Sequence, residues 1–356
     1  MLNPLETTTI GSFPKPSFVP VRDWFDLARE KGAMDTIETT LQYNLDIQKN
    51  RDTHEPLFLK ATKEILDIQL RAGVSIPTDG EVRRENYIHY HCRHLEGFDF
   101  MRLERRILRD GAYETDLPAI RSKIKHSGEN YSVHDYLASQ ALTPRNIKFT
   151  LPGPLTIMDT TADCYYDDRP KLNAVLAYSI NKEILALVEA GCRHIQVDEP
   201  LFARSVKDAL DFGMEGLERC FHGVPKSVSR IVHMCCGYPE HLDDFDYKKA
   251  DPLSYHHLSK AIDEAAFDQI SIEDKHCCND LGLLEKFQHK TVIFGSIAIA
   301  SSYLETVDEV VDRLKDAIEH IDRNRLVVAP DCGLGLLSSK LAEEKLRVMC
   351  QAAALV

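Results

Sequence analysis

His233 and Cys235 stand two residues apart in the run Ser229-Arg-Ile-Val-His-Met-Cys235. Glu273 and Cys332 end two other short apolar runs, Gln269-Ile-Ser-Ile-Glu273 and Leu326-Val-Val-Ala-Pro-Asp-Cys332. Side chains alternate along a strand, so His233 and Cys235 share one face while Met234 and Cys236 take the other. One imidazole, two thiolates and a carboxylate form a donor set suited to Zn²⁺. A weakly held carboxylate is the ligand that an incoming substrate would displace, which marks the set as catalytic rather than structural. A rival set, His276, Cys277 and Cys278, is poorer because consecutive cysteines point apart or strain the backbone when they share an ion.

Ligands this far apart in sequence meet only if the fold gathers strand ends. Eight β-like runs recur between helical stretches: Thr7 to Ser12, Ser75 to Glu81, Asn146 to Gly153, His194 to Pro200, Arg230 to Cys236, Gln269 to Lys275, Thr291 to Ala300 and Arg325 to Leu334. Between them, Lys171 to Ala190 carries apolar residues at Val175, Leu176, Ile180, Ile184, Leu185 and Val188, and Val307 to Ile321 carries Val310, Val311, Leu314 and Ile318, both at helical spacing. Strand-then-helix alternation predicts an α/β fold with a parallel sheet, and eight units predict a (β/α)₈ TIM barrel whose strand ends share one rim. The charged segment Gly97 to Ser132, with Gly111 and Gly128, interrupts the alternation and reads as an insertion after the second unit. No linker, repeat or low-complexity tract divides the chain, so residues 1–356 are expected to form one domain.

The composition narrows the partners. A 44% hydrophobic content fits a globular protein with a substantial core, and a net charge of −13 disfavours nucleic acid and anionic membrane, both of which reward clustered Lys and Arg. The ten cysteines are spread through a large chain, two pairs of them adjacent, unlike a disulfide scaffold. With no signal-like N-terminus and no long apolar run, the expected location is cytoplasmic. The expected partner is a small molecule.

Five stretches then resemble the catalytic half of the cobalamin-independent methionine synthase family, within a wider group of barrels that includes uroporphyrinogen decarboxylase. They are TTTIGSFPKP (Thr7 to Pro16), DGEVRR (Asp79 to Arg84), PGPLTI (Pro152 to Ile157), QVDEP (Gln196 to Pro200) and PDCGL (Pro330 to Leu334). With the His233, Cys235 and Glu273 positions they span nearly the whole chain in the family's order. The resemblance implies that His233, Cys235, Glu273 and Cys332 bind zinc. It also implies that the Ile10, Gly11, Ser12 turn with Glu81 and Asp198 holds the amino acid whose thiol is methylated. A glycine turn lets backbone groups meet a carboxylate, and two anionic side chains pair with an ammonium. The plainer reading is that Glu81 and Asp198 brace the rim against Arg83 and Arg204.

Two departures bear on the methyl donor. Where the family places a tryptophan that stacks on the pterin, this chain has Thr160, and its one tryptophan is Trp24. Where the family has an Asp and a His that support proton delivery to the departing folate nitrogen, this chain has Ala298 and Ala300. His89, Tyr90, His91, Asp159 and the Tyr165–Tyr166 pair are candidates for the vacated roles. The expected function is zinc-dependent S-methyl transfer to a small thiol, homocysteine, giving methionine. An alternative keeps the zinc and the thiol but uses a non-folate donor: a methyl corrinoid carried by a partner protein, a sulfonium or betaine, or an epoxide. A porphyrinogen decarboxylase-like lyase and a non-catalytic zinc or sulfur-amino-acid binder are the other readings, and a homo-oligomer is compatible with each.

Overall fold

The computed structural model describes residues 4–25, 40–47, 49–108, 113–244, 246–247, 249–251 and 253–356. Gly111, within the predicted insertion, lies outside the described residues.

Seven strands pair in parallel throughout: β1 (Glu6–Thr7), β4 (Lys148–Pro152), β6 (His194–Asp198), β7 (Ser229–Met234), β8 (Gln269–Ile272), β9 (Thr291–Ile297) and β10 (Leu326–Pro330). Their order is β1-β10-β9-β8-β7-β6-β4. The predicted run 75–81 does not form a strand of its own. It touches both edges of the sheet through isolated parallel bridges, Thr8 with Ile76 and Thr78 with Lys148. Pro77 has no N–H to extend a ladder, and Gly80 (φ 70°) and Glu81 (φ 57°) turn the backbone into the left-handed region. The fold is therefore α/β with a curled parallel sheet.

The insertion is more ordered than its charge suggests. Strands β2 (Leu95–Leu108) and β3 (Tyr113–His126) form a long antiparallel hairpin, and β5 (Ala162–Asp163) joins β3 in parallel to complete a second, three-stranded sheet. Register shifts between Glu96 and Phe98 and between Asp99 and Glu104 break the two-residue alternation by which a strand is read.

Helices flank the main sheet, the long ones on its outer face and short ones at the C-terminal ends of its strands. They include α1 (Arg51–Ala72), α2 (Tyr87–Cys92), α3 (Tyr131–Gln140), α4 (Pro154–Asp159), α5 (Arg169–Glu189), α6 (Leu201–Arg204), α7 (Ser254–Glu264), α8 (Val307–Ile318) and α9 (Ser339–Leu355). The apolar spacing of 171–190 and 307–321 settles as α5 and α8. The latter is fixed at its start by a capping box between Thr306 and Glu309. Outward strand residues such as Phe149, Val197, Val232, Ile270 and Phe294 pack with these helices in the main core. Inward residues form a separate small cluster, Ile10, Ile231, Ile293, Val327 and Ala329.

The inner face is not uniformly apolar. Lys148 and His194, paired across β4 and β6, and Gln196 bring polar groups inside, and the Lys148 Nζ, His194 Nδ1 and Gln196 Oε1 atoms have no hydrogen-bond partner among the described residues. Burial pulls the Lys148 ammonium down from 10.5 to about 7. The unfolded chain keeps this amine charged up to its ordinary value, so between about 7 and 10.5 folding releases a proton and stability rises with pH. Below that window the full desolvation cost applies. Lys148→Met should therefore stabilise the fold by about 1–3 kcal/mol. The gain should be largest in urea unfolding at about pH 6.5 and mostly gone at about pH 9.5; equal gains at both would disconnect it from the buried amine.

Candidate active site

The ends of β6, β7, β8 and β10 carry the candidate residues. Asp198 closes β6 and pairs directly with His233 on β7, Cys235 follows β7, Glu273 follows β8, and Cys332 lies two residues beyond β10. Two side-chain ties set these ends. Asp331 accepts from the backbone N–H groups of Asp274 and Lys275, both at 3.0 Å, and of His276 at 2.6 Å, so the loop after β8 is fastened to the residue before Cys332. Glu199 accepts from Leu155 N at 2.7 Å, Thr156 N at 3.1 Å and Thr156 Oγ1 at 2.8 Å, which fixes the start of α4. A Cβ on Gly153 would lie 2.2 Å from that carboxylate, so the Pro-Gly-Pro and Asp-Glu-Pro motifs are two halves of one joint.

His233, Cys235 and Cys332 bring one ligand atom each to within 4.8 Å of one another, and His233 Nε2 lies 3.4 Å from Cys332 Sγ. His233 Nδ1 meets Ser271 Oγ at 2.9 Å, an arrangement that with the proton on Nδ1 leaves Nε2 as the donor toward the cysteines. The Cys332 thiol donates to Cys235 and holds the Cys235 thiol well below its ordinary range, with His233 adding to the effect. This is the chemistry of a thiolate-ready cation site, and its imidazole and two thiols fit Zn²⁺.

Glu273 sits next to this triad in a second one. Its Oε1 accepts from Cys236 N at 3.1 Å and its Oε2 from the Cys277 thiol at 3.5 Å, and Cys236, Glu273 and Cys277 also offer ligand atoms within 4.8 Å of one another. The alternation that sends Cys236 away from Cys235 thus creates a neighbouring sulfur pair. Burial, with the charge of Cys235 next, raises the Glu273 carboxyl well above its ordinary value. His276 does not join either group, because its Nε2 accepts from Ile299 N at 3.0 Å and Ala300 N at 3.3 Å, while Cys278 is exposed.

A cavity of about 250 Å³ opens onto the first triad. Ile10, Gly11, Ser12, Glu81 and Asp198 line it together with His233, Cys235 and Cys332; Glu273 does not. Glu81 Oε1 accepts from Thr150 Oγ1 at 2.8 Å and Arg84 Nη1 at 3.4 Å, and a Cβ on Gly11 would come within 2.6 Å of that oxygen. Asp198 Oδ1 accepts from the Gln196 amide at 2.7 Å, and burial pushes its carboxyl up to about 7. The bracing expected of Arg83 is absent, since Arg83 turns outward to Glu55 and Asp135. Arg84 is the cation beside Glu81, and Arg204 lines the cavity as an exposed residue.

Of the residues considered for the donor, His89, Asp159 and Thr160 line the cavity. Tyr90 donates to Asp135 at 2.8 Å, His91 Nδ1 meets the Tyr131 hydroxyl at 2.8 Å, and Tyr166 accepts from Ile124 N at 2.9 Å, all outside it. His89 Nε2 lies 3.1 Å from the Thr160 carbonyl oxygen, and burial lowers its imidazole to about 4. The neutral ring keeps its proton on that bond and is not a ready acid. Sequence reasoning missed Trp24, Phe25, Tyr87 and Tyr238, which also line the cavity. No spacing marks them, because the helical Trp24 and Phe25, the start of α2 and the loop after β7 that carries Tyr238 are far apart in sequence.

A parallel α/β fold with sulfur and imidazole donors gathered at strand ends, opening on an acid-lined cavity, defines a small-molecule enzyme site. The chain belongs to the cobalamin-independent synthase family: the family described as "Cobalamin-independent synthase, Catalytic domain" matches residues 5–355. Methionine synthase of Saccharolobus solfataricus is 29% identical over 350 residues, covering 98% of this chain and 93% of that protein. Methionine synthase of Sulfolobus acidocaldarius is 28% identical over 342 residues, covering 96% and 89%. Among solved structures, a B12-independent methionine synthase from Shewanella sp. W3-18-1 in complex with selenomethionine is similar at a TM-score of 0.83 and 28% identity, covering 99% of this chain and 97% of that one.

If the first triad is the metal site, Cys235→Ser and Cys332→Ser will each lose most of the zinc retained after gel filtration, whereas Cys236→Ser and Cys277→Ser will keep it. The opposite pattern would assign the ion to the second triad.

Proposed function

We propose that this chain is a zinc-dependent S-methyltransferase that converts homocysteine to methionine, working as one domain whose sheet is closed by the 75–81 segment into a (β/α)₈ barrel. The bridges from that segment to both sheet edges support the closure. The observation that carries the function is the sharing of one cavity by the His233, Cys235, Cys332 triad and the acidic pair Glu81 and Asp198. Methionine synthase relatives of nearly the same extent support the same reading.

Zinc held by His233, Cys235 and Cys332 would supply Lewis acidity that keeps an acceptor thiol deprotonated near neutral pH. Glu273, whose charge is felt by Cys332 and which itself feels Cys235, is the fourth donor in this reading. The rest is done by the chain's own groups. Asp198 and Glu81 pair with the acceptor's ammonium and fix where its sulfur points. The carbonyls of the Ile10, Gly11, Ser12 turn are already engaged by Gln196 Nε2 at 3.0 Å, Thr78 Oγ1 at 2.9 Å and Leu334 N at 2.8 Å. That leaves the N–H side of the turn to meet the acceptor's carboxylate. Orientation of both ends of a small amino acid brings sulfur and methyl carbon into line, a contribution that positioning alone makes large.

Asp198→Asn preserves size and removes the charge. Homocysteine binding to the zinc-loaded protein should weaken by about 1.5–3 kcal/mol, the worth of a charge-assisted hydrogen bond. Calorimetry of the wild type and the variant measures this directly. Equal affinities in Asp198→Asn and Glu81→Gln would remove the acidic pair from acceptor recognition.

A further inference from the structure

The cavity has a second, aromatic wall beside the groups assigned to the acceptor. Trp24, Phe25, Tyr87 and Tyr238 line it, and they touch in series: Trp24 with Tyr87 at 6.0 Å between ring centroids, Trp24 with Phe25 at 5.5 Å and Phe25 with Tyr238 at 5.3 Å. Every contacting pair is tilted, by 57°, 67° and 53° respectively. Rings set at these angles do not offer one flat platform. A flat heteroaromatic is best held between parallel faces, whereas a compact cation is attracted by the π-faces of several rings set at angles.

Charge points the same way. Asp23, Glu81, Glu85, Asp159, Asp198 and Glu240 line the cavity against Lys15, Arg84 and Arg204. Lys15 is held by Asp23 at 3.1 Å and Arg84 by Glu81 at 3.4 Å, so both of these cations are already engaged by carboxylates. Glu85 is held in turn by Arg93 at 2.5 Å, so three of these carboxylates are offset by cations, and Arg204 is what the lining leaves to an anionic donor. Size is the third constraint. Pockets for drug-sized ligands run to about 300–1,000 Å³, so a cavity of about 250 Å³ accommodates an amino acid with a small donor better than one with a large heteroaromatic.

We infer, resting on the thiol-methylation reading above, that the aromatic wall binds a compact methylated cation, a sulfonium or a quaternary ammonium, as the methyl donor. In the transfer, the acceptor's thiolate sulfur forms a bond to the methyl carbon as the carbon–onium bond breaks. The electron pair of that bond stays on the departing sulfur or nitrogen, which leaves as a neutral thioether or tertiary amine. The acceptor's thiol proton has gone to solvent beforehand, and the leaving group needs none. This fits alanines at 298 and 300 and a His89 whose ring is neutral.

Trp24 is the only tryptophan in the chain, so its emission reports occupancy of this wall without any turnover. The zinc-loaded full chain is titrated with trimethylsulfonium, with glycine betaine, and with 3,3-dimethylbutanoate, in which carbon replaces the cationic nitrogen of betaine. Saturable quenching by an onium at least about tenfold tighter than by the carbon analogue is expected, and Tyr87→Leu and Tyr238→Leu should each weaken it by about 2- to 30-fold. Methionine formation from homocysteine with trimethylsulfonium or with betaine then separates the two sources. Equal binding of the carbon analogue, or a response of Trp24 to methyl-folate but to neither onium, overturns the inference. Homocysteine binding is measured in the same preparation without donor. A protein that binds homocysteine and ignores both cations overturns the cationic donor alone, and one that does not bind homocysteine overturns the acceptor reading beneath it.

Discussion

Parallel pairing of β6 with β7 sets Asp198 beside His233, and the arrangement of the site follows from that register. One face of each strand must pack on helices, which commits Val197, Val232 and Met234 outward. The alternate positions 196, 198, 231 and 233 then have to face inward. A slip by one residue would bury Asp198 and His233 under the helices and expose the main core to the cavity, so the register that saves the core also aims the chemistry.

Gathering the strand ends is a separate task, and buried carboxylates perform it. Asp331 ties the loop after β8 to the end of β10 through three backbone N–H groups, and Glu199 ties the start of α4 to the end of β6. Burial raises both, to about 7 for Asp331 and about 8 for Glu199. The cavity glycines complement these ties. Gly11 and Gly153 each stand where a Cβ would collide with a carboxylate, Glu81 and Glu199 respectively. Each of these glycines is therefore required by close approach of an acid.

The adjacency of Cys235 and Cys236 gives the site its most unusual feature. Because consecutive residues on a strand end face opposite ways, the two sulfurs serve different triads, and Glu273 stands between them with its carboxylate on the Cys236 and Cys277 side. Both triads draw on the end of β7, the first with the residues after β10 and the second with the loop after β8. Proton sharing between Cys332 and Cys235 favours a thiolate at Cys235, one of the two sulfurs that line the cavity.

Much of this was legible in the chain itself. Alternating strand and helix patterns determined the α/β class, the positions of β4 to β10 within a few residues apart from short β5, and the inward set His233 and Cys235, because periodicity is a local property of side-chain direction. The motifs around Gly11, Glu81, Asp198 and Cys332 identified the residues that meet in the cavity. The hairpin of β2 and β3 escaped because its register shifts erase the two-residue period, and the 75–81 run was overread because Pro77 and two left-handed residues cut its ladder to single bridges. The tertiary structure alone decided which cation stands beside Glu81, that Glu273 sits with Cys236 and Cys277, and that Trp24, Phe25, Tyr87 and Tyr238 share a wall. Those facts depend on which loop crosses which strand end in space, and nothing in local spacing records a meeting between residues whose backbones are joined only through the sheet.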